Sequence, residues 1–131
     1  MALAGVTSVD GRPCAAPTTL TMFTSERYGD FTYRIPLARG SYRLTLYMAE
    51  TWFGPEQPGG GGIGSRRFDV TANGTFLLCN FDLIQAAGGA GLGITRTFRG
   101  LHPDADGYLT LCFHSIVDNA CVNALEVVSE P

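Results

Sequence analysis

Tyr42, Leu44, Leu46 and Met48 alternate with Arg43, Thr45 and Tyr47, the period of a half-buried β-strand. The run ends near Glu50, and Trp52 and Phe53 follow at once, ahead of a glycine-rich loop. Large aromatics at a strand exit point to a flat apolar surface for a ligand. Similar runs predict strands over Leu20–Thr24, Phe31–Leu37, Tyr42–Glu50, Arg67–Thr71, Thr75–Cys79, Ile94–Phe98, Tyr108–Ser115 and Val122–Val128. Turn signals separate them at Tyr28-Gly29-Asp30, Ala38-Arg39-Gly40, Ala72-Asn73-Gly74 and Asp104-Ala105-Asp106-Gly107. Asn73-Gly74 is the strongest hairpin signal, since both residues tolerate the positive φ of a type I′ turn. Leu83–Ala87 alone reads as a helical turn, stopped by Gly88-Gly89. The pattern predicts an all-β fold, a sandwich or jelly roll of two antiparallel sheets.

Composition narrows the function classes. The chain has 131 residues, which suits one domain, 1–131, with an irregular lead-in over 1–19. A domain of this size buries enough surface to fold without a staple. Nine arginines, no lysine and twelve acids leave a net charge of −3, so there is no basic footprint for nucleic acid. No apolar stretch approaches the ~20 residues of a membrane helix. The first residues lack the basic region and apolar core of a signal peptide. The lead-in favours a domain cut from a larger precursor. Four cysteines, at 14, 79, 112 and 121, allow three disulfide pairings and show no zinc spacing. For Cys79 and Cys112, in strand-like runs, a buried free thiol is favoured over a disulfide.

Candidate chemistry is thin. Gly59-x-Gly61-x-x-Gly64 matches a dinucleotide fingerprint in letters, but a strand-like run follows it where that fingerprint needs a helix. The Pro58–Gly64 segment reads as a flexible surface loop. Asn73-Gly74-Thr75 fits the N-glycosylation pattern, although a tight turn explains the same residues. His102 and His114 stand apart, and no nucleophile elbow is present. Glu50, Asp69, Asp82 and Asp118 could serve glycoside hydrolysis by residue type. Acids in such positions more often accept turn amides or pair with arginine. No cofactor or metal motif is present.

The aromatic inventory says more. Trp52 and Phe53 are joined by Tyr28, and Asp118-Asn119 forms a polar turn before the last strand. Aromatic faces and a loop carboxylate are what a sugar needs: the C–H face of a pyranose stacks on a ring, and its hydroxyls donate to the carboxylate. From composition alone this reading and core capping at the sandwich end stand even.

A longer pattern tips the balance. Ser25-Glu26-Arg27-Tyr28-Gly29-x-Phe31-x-Tyr33-x-Ile35-Pro36, then Gly40-x-Tyr42-x-Leu44-x-Leu46-x-x-Ala49-Glu50-x-Trp52-Phe53, resembles malectin and malectin-like carbohydrate-binding modules. Arg67-Phe68-Asp69-Val70-x-x-Asn73-Gly74, Asn80-Phe81-Asp82-Leu83 and Asp118-Asn119-x-x-Val122-x-Ala124-Leu125 extend it in order to about residue 128. The resemblance implies a jelly-roll-like β-sandwich that binds glucose-containing oligosaccharides or polysaccharides without cleaving them. It also implies the site residues Tyr28, Trp52, Phe53 and Asp118, and an extracellular or periplasmic setting within a larger secreted protein, with a catalytic domain elsewhere in the parent chain. Two departures stand out. A family tyrosine from the N-terminal segment has no counterpart in 1–19, and tryptophan replaces tyrosine at position 52. Pro55–Gly64 also resembles a lengthened loop beside the site. The alternatives are a structural or protein-docking sandwich using the same rim, and a small glycosidase using two of the carboxylates.

Overall fold

The computed structural model of the chain describes residues 27–131. Cys14, the lead-in and the strand expected at Leu20–Thr24 lie outside them. The elements run β1 (Arg27–Tyr28), β2 (Phe31–Pro36), β3 (Ser41–Ala49), β4 (Arg67–Ala72), β5 (Thr75–Asp82), α1 (Leu83–Ala87), β6 (Gly93–Leu101), β7 (Tyr108–Val117), β8 (Cys121–Val122) and β9 (Ala124–Glu130). A four-stranded sheet has the order β2-β7-β4-β5, a three-stranded sheet β6-β3-β9, and β1 pairs with β8. All pairings are antiparallel.

The period-2 residues fill the space between the two larger sheets. Leu44, Leu46 and Met48 of β3 and Val127 of β9 are fully buried, as are Phe68, Val70 and Leu111 of the opposing sheet. Each such side chain contributes about 1.5–3 kcal/mol by leaving water. Phe31 stacks on Phe113 at 4.4 Å, with Tyr33 edge-on to both, and the Arg27 guanidinium lies over Phe31 and Tyr33. This is the all-β sandwich that the alternation predicts.

Local chemistry sets the connections. Asn73 and Gly74 take φ of 47° and 83°, as a type I′ hairpin demands. The Asn73 amide also donates to the carbonyls of His102 and Tyr108 and accepts from the Thr110 N–H. That use explains the residue without a glycan. Asp82 caps α1 by accepting from the Gln85 N–H, and Gly88 ends the helix in the left-handed region.

Three features depart from the expected pattern. The last strand is split by Asn123, whose N–H donates to the Tyr47 carbonyl while its side chain accepts from the Ala49 N–H. The two halves therefore pair with different partners, β8 with β1 and β9 with β3. The strands β5 and β6 run past their predicted ends at Cys79 and Phe98. Cys79 and Cys112 are free thiols as expected, but Cys79 is exposed and Cys112 half-buried rather than buried. Cys79 sits on edge strand β5, where the strand's alternation is set by its one neighbour.

The turn at Asp30 ties to β7. Its carboxylate accepts from the Ser115 N–H at 2.6 Å. That bond, helped by His114, holds the Asp30 carboxyl below the ordinary aspartate range. A carboxyl with a lowered folded pKa contributes stability above the unfolded value, lost as pH falls through the folded one. The Ser115 amide resonance is therefore expected to titrate with a midpoint below that ordinary range. A midpoint within or above it in a pH-dependent NMR series would contradict the tie.

Candidate functional site

Three segments meet at the end of the sandwich where β3 and β7 finish. They are β1 with its following turn, the loop after β3, and the loop between β7 and β8. The pairing of Tyr28 with Cys121, and the Gly29 N–H to Ala120 carbonyl bond of 2.9 Å, join the first to the third. The Ser115 hydroxyl accepts from the Ala120 N–H and steadies the same corner.

Arg66 joins the second to the third. It is 5% exposed and lies against Glu50, which is 1% exposed. Its Nε donates to Glu50 Oε1 at 2.6 Å and its Nη2 to Oε2 at 3.1 Å. The same Oε2 accepts from the N–H groups of Trp52 and Phe53, each at 3.1 Å. Nη1 donates to the Asn119 carbonyl and stands 3.5 Å from Asp118 Oδ2. Burial alone would draw the Arg66 pKa down. The Glu50 hydrogen bonds and the charges of Glu50 and Asp118 outweigh it and hold the group above its ordinary value. A buried carboxylate at the exit of β3 thus sets the direction of the aromatic loop, and one arginine carries that constraint to Asp118.

The result is an open cleft of about 340 Å³ lined by Tyr28, Trp52, Arg66, Asp118 and Asn119. Tyr28 is 66% exposed and Trp52 51%, high for such large apolar side chains. Asp118 is also exposed and holds φ at 55°, a left-handed conformation that is uncommon outside glycine. Its Oδ2 accepts from the Asn119 N–H, and among the described residues its Oδ1 has no hydrogen-bond partner. Phe53 does not line this cleft. It is half-buried, and its ring faces the Arg66 guanidinium at 5.2 Å. A second depression, of about 370 Å³ around Arg39, His102 and Asp104, lies at the other end of the sandwich and has no aromatic wall.

The glycine-rich loop is not the free linker that its composition predicts. Gly59 N–H donates to the Trp52 carbonyl at 2.8 Å, Gly54 N–H to the Gly60 carbonyl at 2.7 Å, and Gly64 N–H to Asp82 at 2.6 Å. Gly54 is buried with φ of 135°, and a Cβ there would lie 2.5 Å from Ala90. A Cβ on Gly59 would lie 2.4 Å from the Trp52 indole nitrogen. The glycines let the backbone press against the indole and orient it. Gly59→Ala is therefore expected to displace the Trp52 ring and shift its emission, with unfolding free energy lowered by only about 1 kcal/mol because the ring can move into solvent. An unchanged emission spectrum would show that the loop does not brace the ring.

The sequence-predicted residues Tyr28, Trp52 and Asp118 come together from positions far apart in the chain. Arg66 and Asn119 complete the cleft; Asn119 stood in the sequence only as part of the Asp118 turn, and Arg66 was not singled out. Arg66 had one signal: a charged residue between a glycine-rich loop and the alternating strand Arg67–Ala72. The other acids hold structure. Asp69 accepts from the Asn80 N–H at 2.7 Å, and Asp82 serves Gly64 and Gln85.

The fold and the cleft define an all-β sandwich with an aromatic-lined cleft at one end. The chain belongs to the Malectin domain family, whose model matches residues 8–125. A probable LRR receptor-like serine/threonine-protein kinase of Arabidopsis thaliana is 36% identical over 69 residues, 53% of this chain and 7% of the kinase. The chain therefore spans a small part of that relative's length. A Bacteroides uniformis beta-glucuronidase has the same fold over 84% of this chain and 12% of its own, with 14% identity and a TM-score of 0.69. So does a chain of the complex of plant peptide RALF23 with FER and LLG2, over 85% of this chain and 29% of its own, with 16% identity and a TM-score of 0.59. Among the described residues no helix is long and apolar enough to cross a membrane.

Proposed function

We propose that the chain is a non-catalytic carbohydrate-binding module for glucose-containing oligosaccharides, part of a larger extracellular protein. The observation that carries this reading is the convergence of Tyr28, Trp52 and Asp118 on one open cleft. Tyr28 and Trp52 offer ring faces to the C–H faces of a sugar, and Asp118 Oδ1 accepts from its hydroxyls. Phe53 acts from behind, through Arg66. Burying ~50 Å² of apolar surface per stack gives about 1 kcal/mol at ~25 cal/mol/Å². A charge-assisted hydrogen bond adds roughly 1.5–3 kcal/mol. Less the ordering costs, affinity falls between about millimolar and micromolar.

Among the described residues a glycosidase reading lacks a second free carboxylate in the cleft. Glu50, the other acid at the site, is buried with both oxygens occupied by Arg66, Trp52 and Phe53. An extracellular setting follows from the likeness to a receptor-like kinase, whose catalytic part would lie outside the matched region.

Trp52 is the sole tryptophan, so its fluorescence reports the cleft. Titration with maltose, nigerose, cellobiose and xylo-oligosaccharides, with calorimetry alongside, tests the reading. A saturable change with a glucose-containing sugar is expected. Silence with every sugar by both methods would favour the second reading, a protein- or peptide-docking module. That reading draws on the fold neighbour from the RALF23 complex and on the exposed rings of Tyr28 and Trp52.

A further inference from the structure

Resting on that reading, we infer that the cleft is selective for neutral sugars and rejects uronic acids and other anionic glycans. Among the described residues Arg66 is the one cation lining the cleft, and a guanidinium beside a sugar site would ordinarily suggest carboxylate recognition. Here its charge is already spent. Nε and Nη2 grip both oxygens of Glu50, and Nη1 is taken by the Asn119 carbonyl and stands beside Asp118. To receive a ligand carboxylate, Arg66 would have to turn from Glu50. That would leave a buried acid without its counter-charge, held only by the amides of Trp52 and Phe53.

The remaining field is negative. Glu50, Arg66 and Asp118 together leave one uncompensated negative charge, and it belongs to the exposed Asp118. The aromatic walls add to this, because the face of a π-system carries the negative end of its quadrupole. Arg27 does not line the cleft; its guanidinium lies over Phe31 and Tyr33. A neutral pyranose meets acceptors for its hydroxyls, whereas a uronate meets a like charge at contact distance. Two like charges ~5 Å apart in a solvated cleft repel enough to weaken binding by about fivefold, and more where water is excluded.

The test uses maltose, nigerose and cellobiose, each against its own form oxidised to the uronic acid at C6 of the non-reducing unit. Binding is followed by Trp52 fluorescence and calorimetry at low and at high salt. Each neutral sugar that binds is expected to do so at least about fivefold more tightly than its uronate, with a gap that narrows as salt screens the cleft. Asp118→Asn keeps a residue that tolerates positive φ, so its melting temperature should stay close to the parent's. It should lower neutral affinity and shrink the gap towards unity. Uronates that bind as tightly as neutral sugars, or a gap that survives in Asp118→Asn, would overturn the selectivity while leaving sugar binding intact. Binding by neither form would overturn both this inference and the function beneath it.

Discussion

Glu50→Ala is expected to be among the most damaging single substitutions in the chain, lowering unfolding free energy by about 3–5 kcal/mol, the usual cost of removing one partner of a buried pair. The carboxylate receives Arg66 through both oxygens and takes the N–H groups of Trp52 and Phe53. Its loss leaves a guanidinium only 5% exposed without its main counter-charge and two loop amides without their acceptor. The melting temperature should fall by roughly 10–20 °C for a domain of this size. The effect should also reach past the mutated loop. Arg66 loses the anchor from which it holds the Asn119 carbonyl, so amide exchange at Asn119 and Ala120 should accelerate more than exchange in the core strands. Glu50→Gln, which keeps the shape and one acceptor oxygen, should do less harm. A loss under about 1 kcal/mol in denaturant melts would mean that the pair is solvated and carries little.

Trp52→Ala should have the opposite profile: a small change in stability and a large change in binding. The ring is 51% exposed and lies against Gly59, so folding should lose about 1 kcal/mol or less. Sugar affinity should fall at least about tenfold, since a central aromatic supplies both stacking area and water exclusion. Trp52→Phe should recover part of it, because stacking needs a ring face and not the indole nitrogen. Calorimetry must be the readout, as the substitution removes the fluorophore. Unchanged affinity in the alanine variant would remove Trp52 from the site, while a partner protein lost by the same variant would point to docking.

Much of the fold was legible in one dimension. The alternation in Leu109–Phe113 marks which face is buried, because a strand places successive side chains on opposite faces, whereas β3 from Leu44 onward is buried on both, Thr45 and Tyr47 included. Asn73-Gly74 specifies its own turn through local backbone energetics, and Leu83–Ala87 closes at Gly88 for the same reason. Local signals failed where pairing is decided at a distance. The two residues of β1 exist because β8 lies beside them, and Asn123 divides the final strand because its side chain meets Ala49 across the sheet. Glycine content in Pro58–Gly64 reads as freedom, yet here it permits close approach to Trp52.

The candidate site divides along the same line. The sequence by itself determined the all-β class and, through the resemblance, the family, and it put forward Tyr28, Trp52, Phe53 and Asp118 as candidate site residues. Strand periodicity is a local property, and an exposed aromatic or a polar turn can be seen among its immediate neighbours. Only the tertiary structure decided that Tyr28, Trp52 and Asp118 share one cleft and that Phe53 stands behind it. It alone showed that Arg66, unremarkable as one of nine arginines, links the aromatic loop to the Asp118 turn. A buried ion pair depends on the distance and desolvation of groups brought together by folding, and neither quantity is written in the order of residues.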